Sequence, residues 1–178
     1  VVQPAAAGSV AGLVKQVGPA VVNLDTVSRA TVGVPLIHDP LTGEAYSPLF
    51  PKIQERRGVG SGFVIDPAGL VVTNDHVVRG ATDMVVGWGR DRRARGKVVA
   101  HQPQLDLAFV QIEGAKDLPA LRLSDRAPEV GEPVVAIGSP LGLSHSVSSG
   151  IVSAIGRTVG ESPVSYLQTD TAINPGNS

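Results

Sequence analysis

The chain has 178 residues and a formal net charge of −1, a length suited to one domain that buries roughly two-thirds of the surface its unfolded form exposes and a charge that gives no strong field to draw in nucleic acid or an anionic membrane. It contains no cysteine, which excludes a disulfide scaffold and any thiolate zinc site. Hydrophobic residues make up 42% but aromatics only 3%, with 21 Gly and 14 Pro, a balance that favours short β-branched strands joined by turns and therefore an all-β fold.

The start, Val1-Val2-Gln3-Pro4, shows no basic residues leading into an apolar core, so no signal peptide or anchor is visible; the missing initiator Met leads us to expect that an upstream segment was removed. No apolar run approaches the roughly 20 residues that span a bilayer. Over residues 9–17, Val10, Leu13, Val14 and Val17 fall at helical spacing behind Ser9 as N-cap. Gly18-Pro19 ends that helix, and residues 20–27 have the β-branched content of a strand. Residues 31–57 hold Pro35, Pro40, Pro48 and Pro51 without a sustained period and read as a long exposed loop. Strands then follow at 61–65, 70–73, 83–88, 96–101 and 107–112. After a connection over 118–132, more strands follow at 133–138, 146–155 and 164–169. Two successive sets predict two barrels. The expected organisation is an N-terminal helix and first strand (1–30), the loop (31–57), a first barrel (58–117) and the first part of a second (118–178). Strands do not alternate with long helices and no fixed repeat occurs, which argues against a Rossmann-like or solenoid architecture.

Three residues stand out chemically. His76 follows an apolar strand in Thr73-Asn74-Asp75-His76-Val77-Val78, where a strand end meets a short turn and a side chain can face a cleft; taken alone, a structural histidine is the commoner outcome. Asp106 opens the strand Leu107-Ala108-Phe109-Val110 among apolar neighbours, so its carboxylate is expected to be partly buried and to need a donor. An imidazole N–H is such a donor, and the pairing fixes the histidine tautomer; the plain alternative is an aspartate capping a turn. Asp75 is a poor substitute, because adjacent side chains of an extended chain point to opposite faces. The segment Gln168-Thr169-Asp170-Thr171-Ala172-Ile173-Asn174-Pro175-Gly176-Asn177-Ser178 presents a serine two residues after a glycine. That spacing lets the backbone N–H groups of Gly176 and Ser178 converge on a developing oxyanion, although Gly-Asn-Ser alone is equally an ordinary turn. The order His76, Asp106, Ser178 matches the chymotrypsin type of triad and differs from the subtilisin and α/β-hydrolase orders.

Ordered blocks across almost the whole chain resemble the HtrA/Deg family of serine proteases. Gly60-Ser61-Gly62-Phe63-Val64-Ile65-Asp66 and Gly69-Leu70-Val71-Val72-Thr73-Asn74-Asp75-His76-Val77-Val78 are similar to its strand pair leading to the catalytic histidine, and Asp106-Leu107-Ala108 to its aspartate strand. Gly131-Glu132-Pro133-Val134-Val135-Ala136-Ile137-Gly138-Ser139-Pro140 and Ser149-Gly150-Ile151-Val152-Ser153-Ala154 resemble its second-barrel strands, and the segment from Gln168 to Ser178 its nucleophile loop. The resemblance implies a chymotrypsin-like double β-barrel with the active site between the barrels. It also implies a serine endopeptidase of protein quality control acting on unfolded or misfolded polypeptides through His76, Asp106 and Ser178, without a cofactor or metal. In this fold the residue six before the nucleophile lies at the base of the specificity pocket; here it is Ala172, so no acid awaits Lys or Arg, and Ile173 and Asn174 lie nearby, Ile173 pointing to small aliphatic side chains at the cleaved position. Asn177 stands where trypsin-like zymogens carry an acid for a newly cut N-terminus, so activation is expected to depend on ordering of loops at 141–146 and 157–163. A homotrimer built through the N-terminal region, or a higher oligomer, and a periplasmic, envelope or secreted location are likewise implied by the resemblance.

The family continues beyond the nucleophile with two glycines, further strands and usually PDZ domains. The expectation is therefore a longer parent protein, with the second barrel incomplete here and this piece alone inactive. A non-catalytic, chaperone-like polypeptide-binding module, or an inactive remnant, is the alternative. Other signals are weaker. Gly58-Val59-Gly60-Ser61-Gly62 precedes a strand rather than a helix and so offers no phosphate site. Ser61 lacks the spacing of a hydrolase elbow. Arg90-Asp91-Arg92-Arg93-Ala94-Arg95 reads as a solvated hairpin turn rather than a nucleic-acid patch, and His38, His101 and His145 lack the spacing of zinc ligands.

Overall fold

The computed structural model describes residues 9–32, 37–46, 52–139, 145–158 and 164–174. The first helix, α1, runs over Val10–Val17, with the Ser9 hydroxyl accepting from the Gly12 N–H at 3.2 Å. This satisfies one of the donors a helix start leaves open. Pro19 lies in the 3₁₀ turn Gly18–Ala20 that ends it, and strand β1 follows over Val21–Val32.

Strand β1 holds the first barrel together because it pairs on both edges. On one side lies β4 (Lys52–Asp66), in register from Val21 opposite Phe63 to Val32 opposite Lys52. On the other lies β6 (Asp83–Trp88), from Asn23 opposite Gly87 to Val27 opposite Asp83. With β5 (Leu70–Thr73), β7 (Arg92–Gln102) and β8 (Leu107–Ile112), the strands close in the order β1-β4-β5-β8-β7-β6. Closure removes the unpaired edges that an open sheet would expose. Val22, Leu24, Val64, Val71, Val86, Val110 and Ile112 fill the interior, and the alternation of strands β5 and β8 between buried and less buried residues follows the period of two.

The segment expected to be a loop over 31–57 is partly strand. β1 continues through Val32, β4 begins at Lys52, and the short strands β2 (Ile37–His38) and β3 (Ala45–Tyr46) pair with each other. Pro35, Pro48 and Pro51 lie outside the described residues. Their density masked pairing that comes from a partner distant in sequence.

The second sheet contains β9 (Pro133–Gly138), β10 (Ser146–Arg157) and β11 (Tyr166–Thr169), in the order β11-β10-β9. Among the described residues it is an open three-stranded sheet. It is fastened to the barrel by the Ser139 N–H, which donates to the Ser61 Oγ at 2.9 Å, and by His145 Nε2, 2.9 Å from the Gly18 carbonyl oxygen. The connection between the sheets is fastened too, with the Leu121 N–H donating to the Val64 carbonyl at 2.8 Å.

One close approach sets the place of the short helix α2 (Asp75–Val78). At Gly60, buried on β4, a Cβ would lie 2.5 Å from Val77 Cγ1 and 2.7 Å from its Cγ2. Only glycine lets α2 lie flush against the barrel wall there. Gly60→Val is expected to cost about 1–3 kcal/mol through overpacking and to shift the backbone amide resonances of residues 75–78. Urea denaturation with an amide spectrum checks it, and a fully stable variant with unmoved resonances would show that the contact is not a constraint.

Candidate active site

Strand β5 ends at Thr73, whose hydroxyl donates to the Ser61 carbonyl at 2.8 Å. Asn74 is still extended, and the chain then makes the single turn α2. Asp75 and Val78 are buried there while His76 faces outward, its side chain 61% exposed. The turn expected after the strand is thus a short helix. Asp106 follows the 3₁₀ turn Pro103–Leu105 and adopts a left-handed conformation (φ 51, ψ 42) immediately before β8. A short polar side chain tolerates that region better than a branched one.

The two elements meet through five hydrogen bonds on Asp106. Its Oδ2 lies 2.7 Å from His76 Nδ1 and accepts from Asn74 Nδ2 at 3.1 Å, while its Oδ1 accepts from the His76 backbone N–H at 2.9 Å. Its carbonyl oxygen accepts from the Asp75 N–H at 3.1 Å and from Asn74 Nδ2 at 3.2 Å. A carboxylate on Nδ1 places the ring proton there and leaves Nε2 with its lone pair, the tautomer of a general base. Desolvation works to raise the Asp106 pKa, but the hydrogen bonds from the His76 backbone and ring, the nearby imidazole charge and Asn74 outweigh it and hold the carboxyl below its ordinary value.

The Asp106 carboxylate is partly buried, as expected, at 42% exposed, whereas that of Asp75 is buried at 1% exposed. The left-handed turn holds Asp106 at the rim of the barrel. Asp75, the first residue of a helical turn rather than an extended strand, points inward and away from His76. Its partners are Arg79 and His101.

The segment leading to the candidate nucleophile is held against β10. Asp170 Oδ1 accepts from the Ile151 N–H at 2.7 Å, the Thr169 hydroxyl donates to the Ile151 carbonyl at 2.7 Å, and the Ser148 hydroxyl donates to the Ala172 carbonyl at 2.6 Å. Gly150 makes room for this approach, since a Cβ there would lie 2.3 Å from Asp170 Oδ1. Ala172, Ile173 and Asn174 are exposed beyond buried Thr171. Gly176 and Ser178 lie outside the described residues, as do 140–144 and 159–163 of the two candidate activation loops.

Sequence reasoning gave no role to Asn74, Gly150 or Asp170. Asn74 and Asp170 adjoin the residues singled out, but the partners that explain them lie 32 and 19 positions away. His101 and His145 make structural hydrogen bonds, and His38 lies in β2. Of the arginine run expected as a hairpin turn, Arg90-Asp91 lies in the turn from β6 and Arg92 to Arg95 begin β7, with Arg95 on Asp83 at 3.1 Å and Arg93 on Asp25 at 3.6 Å. Among the described residues, no group of three or more His, Cys, Asp or Glu side chains is arranged to hold a metal ion.

A family model described as the trypsin-like peptidase domain matches residues 60–178. A protein of Pseudomonas putida named "Probable periplasmic serine endoprotease DegP-like" is 40% identical over 185 residues, an overlap taking in 93% of this chain and 39% of that protein. The chain therefore spans about two-fifths of the length of such curated relatives. Among solved structures, the HtrA-type protease AlgW with a decapeptide superimposes with a TM-score of 0.72 at 34% identity, covering 96% of this chain and 54% of that one. A point variant of AlgW, also with a decapeptide, gives a TM-score of 0.79 at 32% identity, covering 96% and 53%. The closed barrel with its companion sheet is thus the chymotrypsin-like arrangement of these proteases, the second barrel incomplete among the described residues.

A carboxyl whose folded pKa is depressed contributes stability that is fully present above its unfolded value and is lost as pH falls through the folded value. The stability difference between the wild type and Asp106→Asn is therefore expected to shrink as pH falls from about 5 to about 2. Urea denaturation across that range measures it; a difference independent of pH would mean that the ionised carboxylate contributes nothing.

Proposed function

The chain belongs to the trypsin-like peptidases, within their HtrA/DegP-like group, and from that premise we propose that it carries the catalytic residues of a serine endopeptidase cleaving unfolded or misfolded polypeptides. The observation that carries the proposal is the double engagement of Asp106 by one histidine. The backbone N–H of His76 sits on one carboxylate oxygen and its Nδ1 on the other. Two contacts fix the ring in position and in tautomer, which a histidine serving only to fill space does not require.

On this reading Ser178 attacks the peptide carbonyl carbon while His76 Nε2 takes the hydroxyl proton. The tetrahedral oxyanion is met by the N–H groups of Gly176 and Ser178, and His76 returns the proton to the leaving amine. Water then repeats the sequence on the acyl-enzyme and releases the acid. Asp106, ionised because its carboxyl is held below the ordinary range, orients the ring and stabilises the imidazolium as it forms.

Ala172 and Ile173 put an uncharged wall beside the cleaved residue, with Asn174 following them; Ile173 is 58% exposed and open to contact. Small aliphatic residues suit that wall better than Lys or Arg, for which no acid waits. The peptide-bound AlgW structures support a polypeptide substrate. The relatives' periplasmic designation supports an extracytoplasmic location, where the resemblance also carries a homotrimer or higher oligomer and a role in quality control.

In the full-length protein, His76→Ala and Ser178→Ala are each expected to lower the turnover of an unfolded, dye-labelled polypeptide by about 10⁴-fold or more. Unchanged cleavage in either variant contradicts the proposal. Binding without turnover, unaffected by Ser178→Ala, would mark a non-catalytic polypeptide-binding module. Among peptide substrates, those with Val or Ala at the cleaved position are expected to be turned over and their Lys or Arg counterparts left intact.

A further inference from the structure

Helix α2 is a single turn, and a single helical turn does not hold itself in water. The direction in which His76 leaves the backbone must therefore be fixed from outside α2. Asp75 supplies a fixing point. Its carboxylate is 1% exposed and carries three hydrogen bonds: Arg79 Nε and Nη2 donate to Oδ2 at 2.9 Å and 2.6 Å, and His101 Nδ1 lies 3.0 Å from Oδ1. His101 is on β7, directly opposite Ala108 of β8 and so two residues past Asp106 in register.

We propose that Asp75, gripped by Arg79 and His101, is a positioning residue for His76: it ties the turn that carries the general base to the strand pair that carries Asp106. This inference rests on the assignment of His76 and Asp106 given above. The route through His101 is separate from the direct His76–Asp106 contact, so α2 is fastened on its inner side by Asp75 and on its outer side by His76. Filling the interior would need only an apolar side chain. A buried carboxylate instead demands donors in fixed directions, and these come from two elements, α2's own end and β7. The Asp75 carboxyl is held below its ordinary value, chiefly by the Arg79 hydrogen bonds against the cost of burial and with help from His101, in keeping with an ionised anchor. Arg79 and His101 are themselves largely exposed, so shortening either leaves the barrel core filled.

The test uses the purified full-length protein with Arg79→Met and His101→Ala combined, each alone, and His101→Asn, whose amide N–H can stand in for Nδ1–H. The readout is the downfield Nδ1–H proton resonance of His76 in a ¹⁵N-edited spectrum, with core methyl resonances as the check on folding. The double variant is expected to lose or broaden that resonance while the core spectrum persists, each single variant to weaken it, and His101→Asn to keep it. Turnover of a peptide substrate is expected to fall on the order of a hundredfold in kcat for the double variant, with KM little changed. A His76 Nδ1–H signal of unchanged position and sharpness in the double variant would overturn the proposal. So would a weakened signal in His101→Asn equal to that in His101→Ala. Absence of turnover in every form, wild type included, would count against the peptidase reading alone, since the resonance reports positioning without chemistry.

Discussion

The pairing of β5 with β8 is the constraint on which the site depends. These antiparallel strands set Thr73 opposite Ala108, so the chain leaving β5 and the chain entering β8 emerge at the same end of the barrel. His76 lies three residues after the first position and Asp106 two before the second, which brings residues far apart in sequence within a 2.7 Å contact. Slipping the register by one residue would turn Val71 and Val110 out of the core and carry Asp106 away from α2. The same interdigitated valines that fill the barrel therefore also locate the candidate general base and its carboxylate.

Much of this architecture could be read from the residues. Strands with β-branched runs between Gly and Pro punctuation, such as Leu70–Thr73, Asp83–Trp88, Leu107–Ile112 and Pro133–Gly138, form where periodicity and turn residues put them. The paired outer parts of the ribbon between β1 and β4 were hidden because their hydrogen bonds come from across the sheet while nearby prolines signal a loop. The full burial of Asp75 was hidden for a related reason. An extended-chain rule assigned alternate faces, whereas the chain is helical at Asp75 and left-handed at Asp106. Asn74 illustrates the limit of local reading, since its role on both the carbonyl and carboxylate of Asp106 exists only once the strands have paired.

Among the described residues, polar contacts tie the second sheet to the first barrel and its N-terminal turn. Ser61 on the barrel receives the Ser139 N–H, and His145 reaches the Gly18 carbonyl. Directional bonds of this kind fix relative placement, and the Asp170–Ile151 and Ser148–Ala172 bonds do the same for the segment that leads toward Ser178. Gly60 and Gly150 serve the same end by close approach, one seating α2 on the barrel and the other seating Asp170 and Thr171 on β10. Strands thus frame the site while His76 and Asp106 stand on the short connections between them, a division that lets precise geometry coexist with exposure to substrate.

The central claim is that the His76–Asp106 pair activates Ser178. The most direct measurement is to treat the folded full-length protein with a fluorophosphonate and locate the adduct by mass spectrometry, with Asp106→Asn as comparator. The account predicts a single adduct on Ser178 that forms far more slowly in the variant. An adduct on another serine, or labelling of Ser178 at the same rate when Asp106 has been replaced, would contradict it.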